Sequence, residues 1–161
     1  MSHSVHYNYG HIVFHTRSAR IQIHPDDLLR VHGYIRGIGR QLGVQYMVVG
    51  GIEDHVHILG NFPMNRLQCD IVKDIKVSTS RWLSGLHSRY RNFYWQGGYG
   101  YFSVSPNRFN DVAGYIARQP EHHLHETTQQ EYERMKAQAE SFIPFMDDGT
   151  PFPLSPRRQA R

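Results

Sequence analysis

Apolar positions along this chain recur with two different periods, and the switches between them mark its elements. His11-Ile12-Val13-Phe14-His15 alternates and is rich in β-formers, which predicts a first strand. Pro25 with Asp26 and Asp27 reads as a helix start, because carboxylates suit the positive end of a helix. Leu28, Val31, Ile35, Ile38 and Leu42 follow at spacings of three and four, an amphipathic helix that Gly43 ends. Val44 to Val49 predicts a second strand, Gly50-Gly51 a break, and Asp54 to Leu59 a third strand. The connection is short enough for an antiparallel hairpin. Asn65 is placed to cap a second helix with Leu67, Ile71, Ile75 and Trp82 inward, Lys73, Lys76 and Arg81 outward, and Gly85 closing it. Tyr101 to Ser105 predicts a fourth strand, and Phe109 to Gln119 a third helix that ends or kinks at Pro120. A polar helix is expected from Glu121 to Glu140.

The order strand, helix, strand, strand, helix, strand is that of the ferredoxin-like split βαβ arrangement. The expected class is therefore α+β: a ferredoxin-like, RRM-like four-stranded antiparallel sheet with two helices on one face. The third helix follows as a C-terminal addition. The third strand then lies centrally, and its histidines are expected on the sheet's open side, where the third helix can cover them. Residues 1–142 are expected to form one domain. Residues 143–161, with Pro151, Pro153, Pro156, Arg157 and Arg158, are expected to be a disordered tail.

Composition adds limits. With 161 residues the chain can bury a real core. A net charge of +4 favours an anionic partner, although charge alone moves that inference little. The single cysteine, Cys69, excludes an internal disulfide and suggests a reducing compartment; between Leu67 and Ile71 it reads as a small core residue. No apolar run reaches membrane-spanning length, so a cytoplasmic protein is expected.

The chemistry concentrates in two places. His55 and His57 stand two apart on a strand, so both imidazoles point to one face among Val56, Ile58 and Leu59. Two neutral imidazoles converging there can clamp a divalent metal. Tyr115 and Gln119 are four apart and share one helix face. A phenol, with an ordinary pKa of roughly 10, is a weak nucleophile at neutral pH. A metal held by His55, His57 and Gln119 would polarise a phosphoryl oxygen and stabilise the charge gathering on it. Tyr115 would then be positioned to cut a phosphodiester and keep the bond as a phosphotyrosine, so that the strand can be rejoined. Imidazole suits zinc, nickel or copper in intrinsic affinity, but the hard oxygens of phosphate favour Mg2+ or Mn2+.

Four stretches occur in a telling order: Asp54-His55-Val56-His57-Ile58-Leu59, Trp95-Gln96-Gly97-Gly98-Tyr99-Gly100-Tyr101-Phe102-Ser103-Val104-Ser105, Tyr115-Ile116-Ala117-Arg118-Gln119, and Glu121-His122-His123. Together they closely resemble the single-tyrosine HUH transposases of the insertion-sequence 200/605 family, over roughly Tyr9 to Tyr132. The resemblance implies that His55 and His57 are the metal-binding pair, Gln119 the third ligand, and Tyr115 the nucleophile that attaches to the 5′ end of the cut strand. It implies a substrate of single-stranded DNA with hairpin ends and a homodimeric assembly, often with the tyrosine helix serving the partner's histidines. No small-molecule substrate and no membrane are expected. Pro120 departs from the helix-continuing residue of that pattern.

The remaining basic and aromatic residues are weaker signals. Arg17 and Arg20 are read as hairpin contacts, and Lys73, Lys76 and Arg81 as residues that track phosphates or simply form a solvated helix face. Tyr90, Phe93, Tyr94 and Trp95 are able to stack on bases, with a core role preferred for Trp95. His122, His123 and His125 read as a polar helix surface in preference to a second metal site or DNA contacts. Gly97, Gly98 and Gly100 read as a turn, since no Lys-Ser/Thr ending follows. The expected activity is DNA transposition by single-strand nicking and rejoining. Rivals are a domesticated repeat-associated relative, a non-catalytic single-strand binder on the same fold, and a metal-dependent hydrolase without covalent intermediate.

Overall fold

The computed structural model describes residues 4–141. The chain divides into two compact units, Met1–Thr128 and Gln129–Arg161. The first holds the four strands β1 (Tyr9–His15), β2 (Gln45–Ile52), β3 (His55–Asn61) and β4 (Gly100–Ser103). It also holds helices α1 (Leu28–Gln41), α2 (Gln68–Leu86), α3 (Phe109–Ala117) and the one-turn α4 (Gln119–His122). A further helix, α5, runs over Thr128–Glu140, almost all of it in the second unit, and carries its own i,i+4 ion pair between Lys136 and Glu140 at 3.9 Å. The expected domain boundary after residue 142 and the expected disordered tail lie outside the described residues.

The sheet order is β2-β3-β1-β4, antiparallel throughout, which is the expected ferredoxin-like arrangement with β3 and β1 central. Alternation along β1 and β3 divides their side chains between two faces. Ile12, Phe14, Val56 and Ile58 point into a core completed by Val31 and Ile35 of α1 and Ile71, Ile75 and Leu83 of α2. Tyr34 and Trp82 stack where α1 meets α2, with ring centroids 4.4 Å apart. Tyr90 is fully buried; its hydroxyl donates to Asp27 Oδ2 at 2.6 Å and accepts from the His24 amide at 2.9 Å. Phe93 and Trp95 meet edge to face at 4.9 Å, and Trp95 meets Phe14 in the same way at 4.8 Å. Of the four aromatic residues considered as base-stacking platforms, three are therefore core, and Tyr94 is exposed.

Several local expectations are corrected. Gly50 and Gly51 do not break β2 but lie within it. Gly51 takes φ +141°, and a Cβ there would stand 2.2 Å from the carbonyl oxygen of His55. A hairpin this tight needs the missing side chain. The N-cap of α2 is Leu67, not Asn65, and Leu67 is exposed because it precedes the helix's buried stripe. That helix also runs one residue past Gly85, to Leu86. Cys69 is exposed, since the stripe of Ile71, Val72, Ile75, Thr79 and Leu83 turns it outward. The helix of Tyr115 stops at Ala117, and Pro120, which lacks an amide hydrogen, sits in the first turn of the separate α4. The polar helix expected from Glu121 is interrupted by turns at 123–126 before α5 begins.

Candidate active site

His55 and His57 both lie on the sheet face opposite the α1/α2 core, and both are completely buried. Their cover is α3 and α4, which pack against β2, with α3 also touching β3. The expectation that the third helix closes over the histidine face is met within this one chain. A glycine makes it possible. Gly50 of β2 is the cross-strand partner of His57. A Cβ on Gly50 would stand 2.7 Å from both Ile116 Cγ2 and the Ile116 carbonyl oxygen. With no side chain there, the end of α3 descends directly beside His57, and Tyr115 comes with it. The Tyr115 ring stands edge-on to His57, centroids 6.0 Å apart, and lies 4.4 Å from the ring of His122.

Gln119 is buried completely and reaches the same place from α4. Its side-chain oxygen is 2.8 Å from His55 Nε2. The break at Arg118 therefore leaves Gln119 and Tyr115 on different helices yet both at the histidines. The other side of each histidine is also held. His55 Nδ1 is 2.7 Å from Asp54 Oδ1, and the Thr128 hydroxyl donates to both Asp54 oxygens at 3.0 and 2.9 Å. Burial pushes the Asp54 carboxyl up, but the hydrogen bond and charge of His55, with Thr128 and His123 acting the same way, bring it below its ordinary value. Asp54 is thus an ionised acceptor beside the His55 ring, and it fixes the orientation of that ring. His57 Nδ1 is 2.8 Å from His11 Nε2 of the neighbouring strand.

Such outer partners fix ring orientation, as expected around a metal. The donor set fits a divalent ion: two imidazoles and one amide oxygen, converging in a dry place with each imidazole braced from behind. His11, Asp54 and Thr128 escaped the sequence reading as partners of the site, and His123, read there as polar helix surface, is half-buried against Gln119. For His11 a signal existed, because β1 alternation puts it on the face of His55 and His57. Asp54 adjoins His55 in sequence. Nothing local pointed to Thr128.

The basic residues proposed for DNA contact lie elsewhere. Arg17, Arg20, Lys73 and Arg81 are exposed, and Lys73 stands 3.3 Å from Asp70. Lys76 is different. Its ammonium donates to the carbonyls of Gln96, at 2.8 Å, and Gly98, and burial lowers its pKa. It fastens the 96–98 turn to α2. Beside it runs an open groove of about 520 Å³ between α2 and that turn, bordered by Lys73, Val77, Tyr94 and Tyr99. Among the described residues no helix is long and apolar enough to cross a membrane.

Comparison with known proteins agrees with the fold. A protein from Deinococcus radiodurans R1 whose crystal structure is described as that of a candidate transposase superposes with a TM-score of 0.57 at 19% identity. The match covers 74% of this chain and 95% of that one. A REP-associated tyrosine transposase, solved bound to a REP hairpin, gives a TM-score of 0.55 at 16% identity over 76% of this chain and 74% of that one. No curated protein sequence matches significantly. The family model described as "Transposase IS200 like" matches residues 4–119, a span that contains all four strands, the histidine pair, Tyr115 and Gln119. The chain belongs to the IS200-like transposase family.

Proposed function

We propose that this protein nicks and rejoins single-stranded DNA by transesterification through Tyr115. The Tyr115 oxygen attacks the scissile phosphorus and forms a new P–O bond as the bond to the 3′-oxygen breaks. The phenol's proton passes to solvent, and the departing 3′-oxygen takes one up. The product is a 5′-phosphotyrosine and a free 3′-hydroxyl. Attack of another 3′-hydroxyl on that phosphotyrosine restores the phenol and completes strand transfer. The observation that carries the reading is the convergence of His55, His57 and Gln119 beside the Tyr115 ring.

His55, His57 and Gln119 are the residues that would hold a divalent ion, Mg2+ or Mn2+. When bound, it supplies Lewis acidity toward the phosphoryl oxygens. The chain's own residues do the rest. Asp54 and Thr128 hold the His55 ring in one orientation, and His11 braces His57. Gly50 admits the end of α3, so that Tyr115 stands half-buried over β3. For the strand itself, exposed Arg17, Arg20, Lys73 and Arg81 offer phosphate contacts, and Tyr94 and Tyr99 offer faces for unpaired bases along the groove. Lys76 serves that surface by holding its turn in place. Family membership supports DNA with hairpin ends as substrate and a homodimer as the working assembly, which sedimentation velocity checks.

The decisive experiment is covalent capture. A labelled single-stranded hairpin substrate, incubated with Mn2+ or Mg2+, is expected to become attached to the wild-type protein and not to Tyr115→Phe. His57→Ala is expected to lose capture while still binding the hairpin. Cleavage without an adduct would replace this reading with hydrolysis, and binding without cleavage would replace it with a non-catalytic binder. An adduct formed by Tyr115→Phe would mean that another residue is the nucleophile.

A further inference from the structure

We infer that His122 takes the proton of the Tyr115 phenol in cleavage and returns it in rejoining; this rests on the tyrosine reading above. His122 is the last residue of α4, seven positions after Tyr115. In an unbroken helix that spacing is about 10 Å along the axis, too far for the two rings to touch. The break at Arg118, with Pro120 in the first turn of α4, redirects the chain. The rings of Tyr115 and His122 therefore meet, with centroids 4.4 Å apart and planes tilted by 42°. His122, read from the sequence as polar helix surface, is half-buried against Tyr115.

The Nε2 of His122 is buried and has no hydrogen-bond partner among the described residues. Leaving a polar atom dry and unpaired costs stability, and a reaction that uses the atom accounts for such a cost. An imidazole with its proton on Nδ1 accepts at Nε2, and the half-buried ring also reaches solvent. His122 is thus placed to carry a proton between the phenol and water. Catalytic hydrogen bonds commonly close only once substrate is bound, so ring contact is the geometry that matters in the free protein. In cleavage the phenol O–H bond breaks as the O–P bond forms, and the proton goes to His122 Nε2. The 3′-oxygen leaves with its electron pair and takes a proton from solvent. In rejoining, the incoming 3′-hydroxyl gives its proton to solvent, and the phenolate expelled from phosphorus takes its proton back from His122. The other titratable or charged groups nearby are His123, exposed Arg118 and exposed Glu121 on the same turn, and His57 of β3, which stands edge-on to Tyr115. β2, on which α4 packs, has only the exposed Tyr46 as a titratable residue.

The test is the single-turnover rate of adduct formation by the full chain, with the labelled single-stranded hairpin and Mn2+. His122→Phe keeps a ring against Tyr115 but cannot take a proton. It is expected to bind the hairpin as wild type does and to form the adduct roughly 100-fold or more slowly near neutral pH. The deficit is expected to narrow at alkaline pH, where hydroxide takes the phenol's proton instead. Added imidazole is expected to restore part of the rate in His122→Ala and none in His122→Phe, where the space is filled. His122→Gln, polar but unable to take a proton at neutral pH, is expected to be as slow as His122→Phe and serves if that variant does not fold. Adduct formation by His122→Phe at the wild-type rate would overturn the inference and leave Tyr115 standing as the nucleophile. So would a deficit that is equal at every pH and indifferent to imidazole, which would make His122 a positioning residue. Absence of an adduct from wild type would overturn the parent reading and this inference with it.

Discussion

At the scale of single residues, burial decides what each histidine can do. His32 of α1 is buried, and its Nε2 has no hydrogen-bond partner among the described residues. Loss of hydration lowers its pKa from 6.5 to about 4, with the charges of Arg36 and His55 acting in the same direction. An unfolded chain takes up a proton near pH 6.5 that the folded chain refuses until about pH 4. The contribution of His32 to stability is therefore complete above pH 6.5 and declines as pH falls toward about 4. The loss is on the order of 2 kcal/mol at pH 5. Urea unfolding at pH 7.5 and pH 5 is expected to show a smaller drop in His32→Leu than in wild type; equal drops would assign the acid sensitivity to other groups. Cys69 teaches the complementary lesson. Its apolar neighbours suggested burial, but helix rotation, not nearest neighbours in sequence, sets which way a side chain points.

At the scale of elements, the contact between α3 and β2 is what assembles the site. Gly50→Val would drive its side chain into Ile116, whose carbonyl oxygen cannot rotate away. The expected cost is about 1–3 kcal/mol from overpacking. Because Ile116 follows Tyr115, adduct yield should fall together with the denaturation midpoint, while hairpin binding persists. Gly33, on the exposed side of α1, has nothing within 4 Å of a Cβ. Gly33→Ala is thus the matched control, expected to stabilise by roughly 0.5–1 kcal/mol through helix propensity. A Gly50 variant that behaves like the Gly33 control would show that α3 does not depend on this contact. The sequence reading took Gly50-Gly51 as a break because glycine is a turn signal. A strand also carries glycine where another backbone must come close, and one chain read in isolation does not tell these apart.

At the scale of the molecule, metal binding and stability are coupled. The buried polar cluster of His55, His57 and Gln119 joins a sheet strand to the helices that cover it. An ion bound there favours the folded chain by mass action, about 2.7 kcal/mol at a free concentration of 100 times Kd. Addition of Mn2+ is expected to raise the thermal midpoint of wild type, EDTA to reverse the rise, and His57→Ala to abolish it. A midpoint indifferent to Mn2+ would argue against an ion at this cluster.

The sequence by itself determined the element order, the ferredoxin-like sheet, the shared face of His55 and His57, and the family. Periods of two and 3.6 residues are local properties, and the ordered motifs survive without any knowledge of packing. The sequence reading also placed Tyr115 and Gln119 correctly relative to the histidines, although through a continuous helix that Pro120 interrupts. Only the tertiary structure decided that α3 folds over its own sheet, that Trp95 and Tyr90 are core while Tyr94 is exposed, and that Lys76 is occupied by the turn at 96–98. It alone brought His11 behind His57 and His123 against Gln119. The physical reason is that these contacts join residues on separate elements or beyond a helix break. No local periodicity encodes such meetings; they follow from which surfaces the collapsed chain must remove from water.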